Sequence, residues 1–276
     1  MPRPFHQVDV FTTEPHRGNP VAVVLEADGV DSEAMQRFAH WTNLSETTFV
    51  VAPSTPAADY AVRIFTPTEE IPFVGHPTLG TCHAWLEVGG QPRDSDRIVQ
   101  ECTAGLIPLR RSHDRLAFAA PPLLRAGAVS PDVLQRVVAQ LGISRTDVVD
   151  AAWADNGPGW VAVLLADAEA VLAVRPGSVD LDIGLVGFHP PGSETAIEVR
   201  AFFPKDGTAA EDPVTGSLNA SVAMWLSETG RLSPPYVASQ GACLGRVGRV
   251  YIDADPDGTI WVGGCTVTCI SGAVEI

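Results

Sequence analysis

The chain has 276 residues, of which 45% are hydrophobic and 18% are charged, and its formal net charge is −15. This length and composition predict a globular protein with about two domains and exclude a disordered chain, while the negative charge excludes the basic surface that nucleic acids require. The longest apolar runs, such as Val161–Ala166, are too short to cross a bilayer, and the first residues read as a strand instead of a signal peptide. We therefore expect a cytoplasmic protein with neither nucleic-acid nor membrane partners.

The first half of the chain is predicted to place short strands around two helices. The predicted strands are Val8–Phe11, Val21–Leu25, Thr47–Val51 and Tyr60–Phe65. Asp31–Thr42 is an amphipathic helix with Asp31 or Ser32 as its N-cap. A second helix is predicted to begin near His76 and to end at Gly89–Gly90. A strand-rich stretch then continues to about Ala120.

The second half repeats this order after a linker that is predicted to begin at Pro121–Pro122. Ser130 is the expected cap of a helix that ends at Gly142, and Asp167 is the expected cap of a shorter one. The last helix is predicted from about Gly216 to Gly230. Further strands are predicted at Trp160–Leu165, Ile197–Phe203, Val250–Ile252 and Thr259–Val262. Strands around one main helix, twice over, indicate an α+β protein of two similar halves.

Two short segments carry the strongest functional signal, because each is a turn that opens a main helix. They are Gly75–Gly80 and Glu211–Ser217, and the similar strands Arg63–Pro67 and Arg200–Pro204 precede them at a spacing of roughly 140 residues. A helix N-terminus presents backbone N–H groups and the positive end of the helix dipole. If the repeat is real, two such ends meet across a cleft and form a site for an anion.

Polar side chains in and near these turns are the candidate catalytic and binding groups. Glu46 enters a strand between apolar neighbours, where a raised pKa would let it take and give a proton near neutrality. His76, Asp212 and Ser217 lie at the helix openings. Each also has a structural interpretation. In this interpretation Glu46 is an exposed acid at the start of a strand, His76 forms hydrogen bonds at a helix end, Asp212 forms a turn, and Ser217 caps a helix. Their occurrence together in matching turns favours the functional interpretation.

Other kinds of site are disfavoured by the residues present. Lys205 is the only lysine and lies in a predicted surface turn, so Schiff-base chemistry is not expected. The dinucleotide-like pattern at Gly157–Ala162 leads into a strand, whereas phosphate binding requires a helix. The five cysteines show no CxxC pair, and the spacing of His76 and His83 is unusual for zinc. We expect reduced thiols, no metal and no cofactor.

Eight motifs together resemble those of the PhzF-like (phenazine biosynthesis isomerase) family, within the diaminopimelate-epimerase-like fold. They are Val8–Phe11, Gly18–Val23, Leu44–Thr47, Arg63–Pro67, Gly75–Gly80, Glu211–Ser217, Gln240–Gly241 and Val262–Gly264. The resemblance covers nearly the whole chain. It implies two similar domains, each a curved β-sheet or barrel around a central helix, with the active site in the interdomain cleft. The expected N-terminal half is residues 1–119 plus about 268–276, and the C-terminal half is residues 120–267.

The resemblance also implies roles for individual residues. Glu46, His76 and Asp212 fall on the catalytic positions of the family. The substrate-binding positions fall on Asn19, Ser45, Gly75, Gly216 and Ser217. Related epimerases use two cysteines at these turns, but this chain has Gly75 at the first position and no cysteine between Ile197 and Gly241. Proton transfer by the single carboxylate of Glu46 is therefore expected.

The predicted function is that of a cofactor-independent isomerase in secondary metabolism, such as antibiotic biosynthesis. The resemblance implies a homodimer that moves a proton within a small, cyclic, unsaturated amino acid similar to dihydrohydroxyanthranilate. One alternative is a hydrolase in which Ser217, His76 and Asp212 form a triad. Another is a protein that binds small anions without catalysis.

Overall fold

The computed structural model describes residues 2–112 and 114–276. The chain divides into two compact units. The first contains the residues up to Ala119 together with Gly263–Ile276, and the second contains Ala120–Val262. The second boundary is predicted from the sequence at about residue 268.

The described strands of the first unit form a closed barrel around a helix. The strands are β1 (Pro2–Val10), β2 (Asn19–Val24), β3 (Thr47–Val51), β4 (Tyr60–Phe65), β5 (Glu70–Ile71), β6 (Arg97–Cys102), β7 (Gly105–Ser112), β8 (Arg115–Ala119) and β17 (Ile260–Glu275), and the helices are α1 (Ser32–Thr42) and α2 (Gly75–Glu87). Within the described residues, β1, β2, β3, β4, β6, β7, β8 and β17 pair in that order, and β17 pairs back with β1. Closure leaves no free edge in this ring of eight strands.

Helix α2 lies within this barrel. Its residues from Gly75 to Cys82 are all buried, and it contacts β1, β2, β3 and β8. Its buried hydroxyl groups are satisfied there, because Thr81 Oγ1 donates to Thr48 Oγ1 at 2.8 Å and Thr78 Oγ1 accepts from Gln100 Nε2 at 3.0 Å. Gly80 lets the helix approach the barrel wall, because a Cβ atom there would lie 2.3 Å from Val21 Cγ1. Burial of α2 therefore fixes where its first turn lies.

The second unit repeats the order of strands and helices. Its strands are β9 (Arg125–Ala128), β10 (Val148–Asp155), β11 (Val161–Leu165), β12 (Ile183–Phe188), β13 (Ile197–Lys205), β14 (Thr208–Asp212), β15 (Tyr236–Gln240) and β16 (Gly248–Ala254), and its helices are α3 (Pro131–Leu141), α4 (Ala168–Ala173) and α5 (Gly216–Glu228). Two short 3-10 helices lie at Arg145–Asp147 and Ala242–Leu244. Helix α5 packs on β10 and β16, and the side chain of Leu218 fills the space that a Cβ atom of Gly184 would need.

The pairing pattern confirms that the two units are an internal repeat. In the first, β1 and β2 are antiparallel, β2 and β3 parallel, β3 and β4 antiparallel, β4 and β6 parallel, and β6 and β7 antiparallel. The series β10, β11, β12, β13, β15 and β16 shows the same alternation. Each main helix follows a short strand, β5 or β14, that pairs with the strand before it. The predicted α+β fold with two similar halves is confirmed.

Most predicted elements are confirmed, and the differences have local causes. Asp31, Ser130 and Asp167 cap α1, α3 and α4 as expected, each accepting a hydrogen bond from a first-turn N–H. The predicted linker after Pro121 contains β9, whose four exposed residues lack the apolar alternation that identifies a strand. Strand β17 runs for 16 residues, from Ile260 to Glu275, and so joins the strand predicted at Thr259–Val262 to the strand-like segment Cys265–Cys269. None of the described helices has both the length and the apolar character of a membrane-spanning segment.

Candidate active site

Glu46 and His76 meet in the first unit. Glu46 lies in the loop that leads into β3, and His76 is the second residue of α2. The His76 Nε2 and Glu46 Oε2 atoms are 3.3 Å apart, with 4% of the histidine side chain and 13% of the glutamate side chain exposed. A carboxyl group in this position is largely shielded from water but still reachable, as proton transfer to a bound molecule requires.

Burial determines the charge of His76. It lowers the pKa of His76 from 6.5 to about 3, although a hydrogen bond to the backbone of Pro20 favours the protonated form. The imidazole is therefore neutral at neutral pH and does not cancel the charge of Glu46. A neutral ring carries a proton on one nitrogen and a lone pair on the other. Nε2 can therefore donate to the carboxylate in one tautomer and accept from the carboxylic acid in the other.

The other candidates of this unit differ in burial and in how they contact the Glu46–His76 pair. Asn19, fully buried at the start of β2, places its Nδ2 atom 3.5 Å from His76 Nδ1 and so limits how the ring can turn. Ser45 precedes Glu46 and is exposed. Gly75 is the first residue of α2, and a Cβ atom there would lie 2.4 Å from Phe118 Cζ. The ring of Phe118 thus occupies the space that the side chain of a cysteine at this position would need.

In the second unit, Asp212 and the start of α5 are held by one buried side chain. Gln240, 1% exposed, accepts hydrogen bonds through Oε1 from Thr215 N at 3.0 Å and Asn219 Nδ2 at 2.9 Å. Its Nε2 atom donates to Thr215 Oγ1 at 2.9 Å and to Asp212 O at 3.2 Å. Thr215 Oγ1 in turn donates to Asp212 Oδ2 at 2.6 Å. These bonds fix the Asp212 carboxylate relative to the helix N-terminus.

A buried ion pair anchors the strand that ends at Asp212. Arg200 on β13 donates from Nε and Nη2 to the two carboxylate oxygens of Glu211, at 2.9 and 2.8 Å. Arg200 is 3% exposed and also donates to the backbone oxygens of Val171 and Val174. Bidentate pairing of this kind fixes geometry as well as charge. The position of β14 next to Asp212 is therefore fixed by this ion pair as well as by the hydrogen bonds of Gln240.

The N-termini of α2 and α5 differ from those of the other three α-helices. Helices α1, α3 and α4 have a side-chain cap and an acidic residue in the first turn. Helices α2 and α5 have Val74 and Thr215 at their N-cap positions, with no side-chain cap and no acidic residue in the first turn. Their first N–H groups, those of Gly75 and Gly216 among them, are therefore left for another acceptor, such as a carboxylate.

Ser217 does not have the environment of a nucleophile. Its Oγ atom accepts a hydrogen bond of 3.1 Å from Trp160 Nε1, whereas an activated serine donates its proton to a base. This contact gives the hydrolase interpretation no support. Within residues 2–112 and 114–276, no three His, Cys, Asp or Glu side chains form a group that could hold a metal ion.

Several residues around these sets could not be identified from the sequence. Trp160, Phe118, Gln240 and Asn219 act through contacts with residues 21 to 57 positions away. The family resemblance includes Gln240 in a motif but implies no role for it. No spacing or periodicity in the chain marks such contacts, because they depend on which strands are neighbours.

Comparison with known proteins identifies the family. Residues 8–272 match the family model described as phenazine biosynthesis-like protein. The chain is 36% identical to antisense-enhancing sequence 1 of Schizosaccharomyces pombe, with 97% of each chain covered. It is 34% identical to the trans-2,3-dihydro-3-hydroxyanthranilate isomerase of Pseudomonas aeruginosa, which covers 91% of this chain and 90% of that protein. The crystal structure of a PhzF family protein from Enterococcus faecalis superposes with a TM-score of 0.81 at 25% identity, covering 100% of both chains. The chain therefore belongs to the phenazine biosynthesis-like family, and it is an isomerase.

Proposed function

We propose that this isomerase moves a proton between two carbons of a small, cyclic, unsaturated amino acid, with Glu46 as the only acid and base. The 3.3 Å contact between Glu46 and a neutral His76 beside the uncapped start of α2 carries the proposal. Relatives that are named isomerases of trans-2,3-dihydro-3-hydroxyanthranilate support the class of substrate.

The reaction balances without a cofactor. The Glu46 carboxylate removes a proton from one carbon, and the electron pair of that C–H bond spreads over the neighbouring double bond. The resulting Glu46 carboxylic acid then returns the proton to the far carbon of the same allylic system. No electron leaves the substrate, and the enzyme ends in the state in which it began.

The roles of the remaining residues follow from the charges that the reaction develops. The His76 ring lies 3.3 Å from the Glu46 carboxyl group, within reach of a hydrogen bond, and so limits where that group can move between the two half-reactions. Uncapped N–H groups at Gly75 and Gly216 stabilise negative charge. Asp212, fixed by Thr215 and Gln240, binds the amino group of the substrate. Asn19 and Ser45 complete the binding set.

Proton NMR in D2O tests the proposal. Wild type, Glu46→Gln and Glu33→Gln are compared on trans-2,3-dihydro-3-hydroxyanthranilate and on related cyclic unsaturated amino acids. We expect conversion of the substrate with wild type and with Glu33→Gln, whose exposed carboxylate pairs with Arg37, and deuterium at an allylic carbon wherever the Glu46 proton exchanges with D2O before it is returned. Glu46→Gln should lower the rate by about 10²- to 10⁴-fold. Equal rates in all three proteins would remove Glu46 from this role.

Two further results separate the alternatives. Binding of these compounds that survives Glu46→Gln, with no turnover in either protein, would indicate a non-catalytic anion-binding protein. We also propose, from the family resemblance, that the protein is a homodimer. Light scattering should then give twice the 29.2 kDa of one chain, and a monomer mass would contradict this part.

A further inference from the structure

The loop between β10 and β11 lies on the first turn of α5. Asn156 Nδ2 donates to Ser217 O at 3.0 Å, and Trp160 Nε1 donates to Ser217 Oγ at 3.1 Å. Asp155 shapes the loop, because its Oδ1 atom accepts from the backbone N–H groups of Gly157 at 2.7 Å and Gly159 at 2.8 Å. Trp160 is 4% exposed, so its ring has little freedom to turn away from Ser217.

The direction of the bond between Trp160 and Ser217 is not ambiguous. An indole N–H can only donate, so the serine oxygen must be the acceptor. A hydroxyl group has one proton, and here a lone pair is already engaged. In the described part of the chain, no hydrogen bond uses that proton. Ser217 therefore offers a donor, next to the N–H groups at the start of α5 that have no side-chain cap.

We propose that Trp160 is a positioning residue that holds Ser217 as a hydrogen-bond donor and so determines which group of the substrate binds at the start of α5. That group must be a hydrogen-bond acceptor, and in an amino acid it is the carboxylate. Without the indole N–H, the hydroxyl group can rotate and accept from an ammonium or amide N–H instead. This inference rests on the proposed function because it takes its class of substrate from there. What it predicts is a preference in binding for a carboxylate over other groups.

The experiment measures binding of two probes, anthranilate and anthranilamide, by titration calorimetry. They differ in carrying a carboxylate or a carboxamide on the same ring. Trp160→Phe keeps an aromatic ring and removes the N–H donor together with part of the indole ring. The matched control is Trp261→Phe in the same unit, which removes an indole N–H that donates to Asp255 Oδ2 at 3.0 Å. Circular dichroism establishes that each variant is folded.

We expect wild type and Trp261→Phe to bind the carboxylate more tightly than the amide. Trp160→Phe should reduce this ratio by about 3- to 10-fold, the fold-change that corresponds to one hydrogen bond. Ser217→Ala should reduce the ratio similarly, and combining the two substitutions should add little. Should Trp160→Phe not fold, Ser217→Ala still reports on the donor.

Three results would overturn the inference: no preference for the carboxylate in wild type, an unchanged ratio in Trp160→Phe, or an equal loss of affinity for both probes. The last would indicate a purely structural contact. Because the readout is binding, it does not depend on turnover. Failure of Glu46 as the base and failure of Trp160 as a positioning residue are therefore distinguishable.

Discussion

Replacing Gln240 with methionine should destabilise the second unit and disturb Asp212 at the same time. Methionine has nearly the length and volume of glutamine, so the substitution removes four hydrogen bonds while leaving the packing almost unchanged. Two of the partners keep another bond: Asn219 Nδ2 still donates to Thr215 O, and Thr215 Oγ1 still donates to Asp212 Oδ2. The Thr215 N–H group loses the side-chain acceptor recorded for it.

The magnitude follows from these bonds. A buried donor without an acceptor costs about 1–3 kcal/mol, and the lost bonds to Asn219 Nδ2 and Thr215 Oγ1 contribute less because each of these groups keeps another bond. Loss of the donor to Asp212 O adds to the cost. We expect the free energy of unfolding to fall by about 2–4 kcal/mol. For a unit of this size, that corresponds to a urea midpoint lowered by about 1 M.

The assay is urea unfolding followed by circular dichroism, with isomerase activity measured on the folded variant. Gln91→Met is the control, because Gln91 is exposed and donates to Gly89 O, and its free energy of unfolding should change by less than about 0.5 kcal/mol. Activity of Gln240→Met should fall further than the folded fraction does, since the Asp212 carboxylate loses its fixed position. A urea midpoint of Gln240→Met within ~0.3 M of the wild-type midpoint, with normal activity, would refute the argument, because a shift of this size corresponds to about 1 kcal/mol in the free energy of unfolding.

Two more predictions concern the first unit. Gly75→Ala should lower the free energy of unfolding by about 1–3 kcal/mol, because its Cβ would meet the Phe118 ring at 2.4 Å. Thermal unfolding measures this, and a second substitution, Phe118→Leu, should recover part of the loss; an unshifted midpoint would contradict it. Because the pKa of His76 falls from 6.5 to about 3 on folding, the unfolded chain binds a proton there that the folded chain does not, so stability should decrease as pH falls from 6.5 toward 3. His76→Gln should reduce the slope of the free energy of unfolding against pH by up to about 1.4 kcal/mol per pH unit, measured by urea unfolding at each pH. Equal slopes for wild type and His76→Gln would refute the pKa shift.

The residue patterns by themselves determined the repeated order of elements and the candidate residues at the helix openings. Caps such as Asp31 and Ser130 are local signals, because a side chain bonds an N–H only three residues away. Before Gly216 the chain has Thr215, a residue type that favours N-caps, so only the structure shows that its side chain bonds Asp212 instead of the helix. Glu46 is a candidate because it enters a strand between apolar neighbours, whereas recognition of Asn19 depends on the family resemblance, since its isolated position has no fixed meaning.

Tertiary structure decided which side chains control these candidates. Pairing of distant strands brings Gln240 of β15 to Asp212 of β14, and the β10–β11 loop brings Trp160 to Ser217. The low pKa of His76 is likewise a property of its burial within the barrel, not of its neighbours in sequence. Local patterns specify helices and turns because those form between residues three or four apart. Desolvation and hydrogen bonds between distant segments exist only once the strands have found their partners.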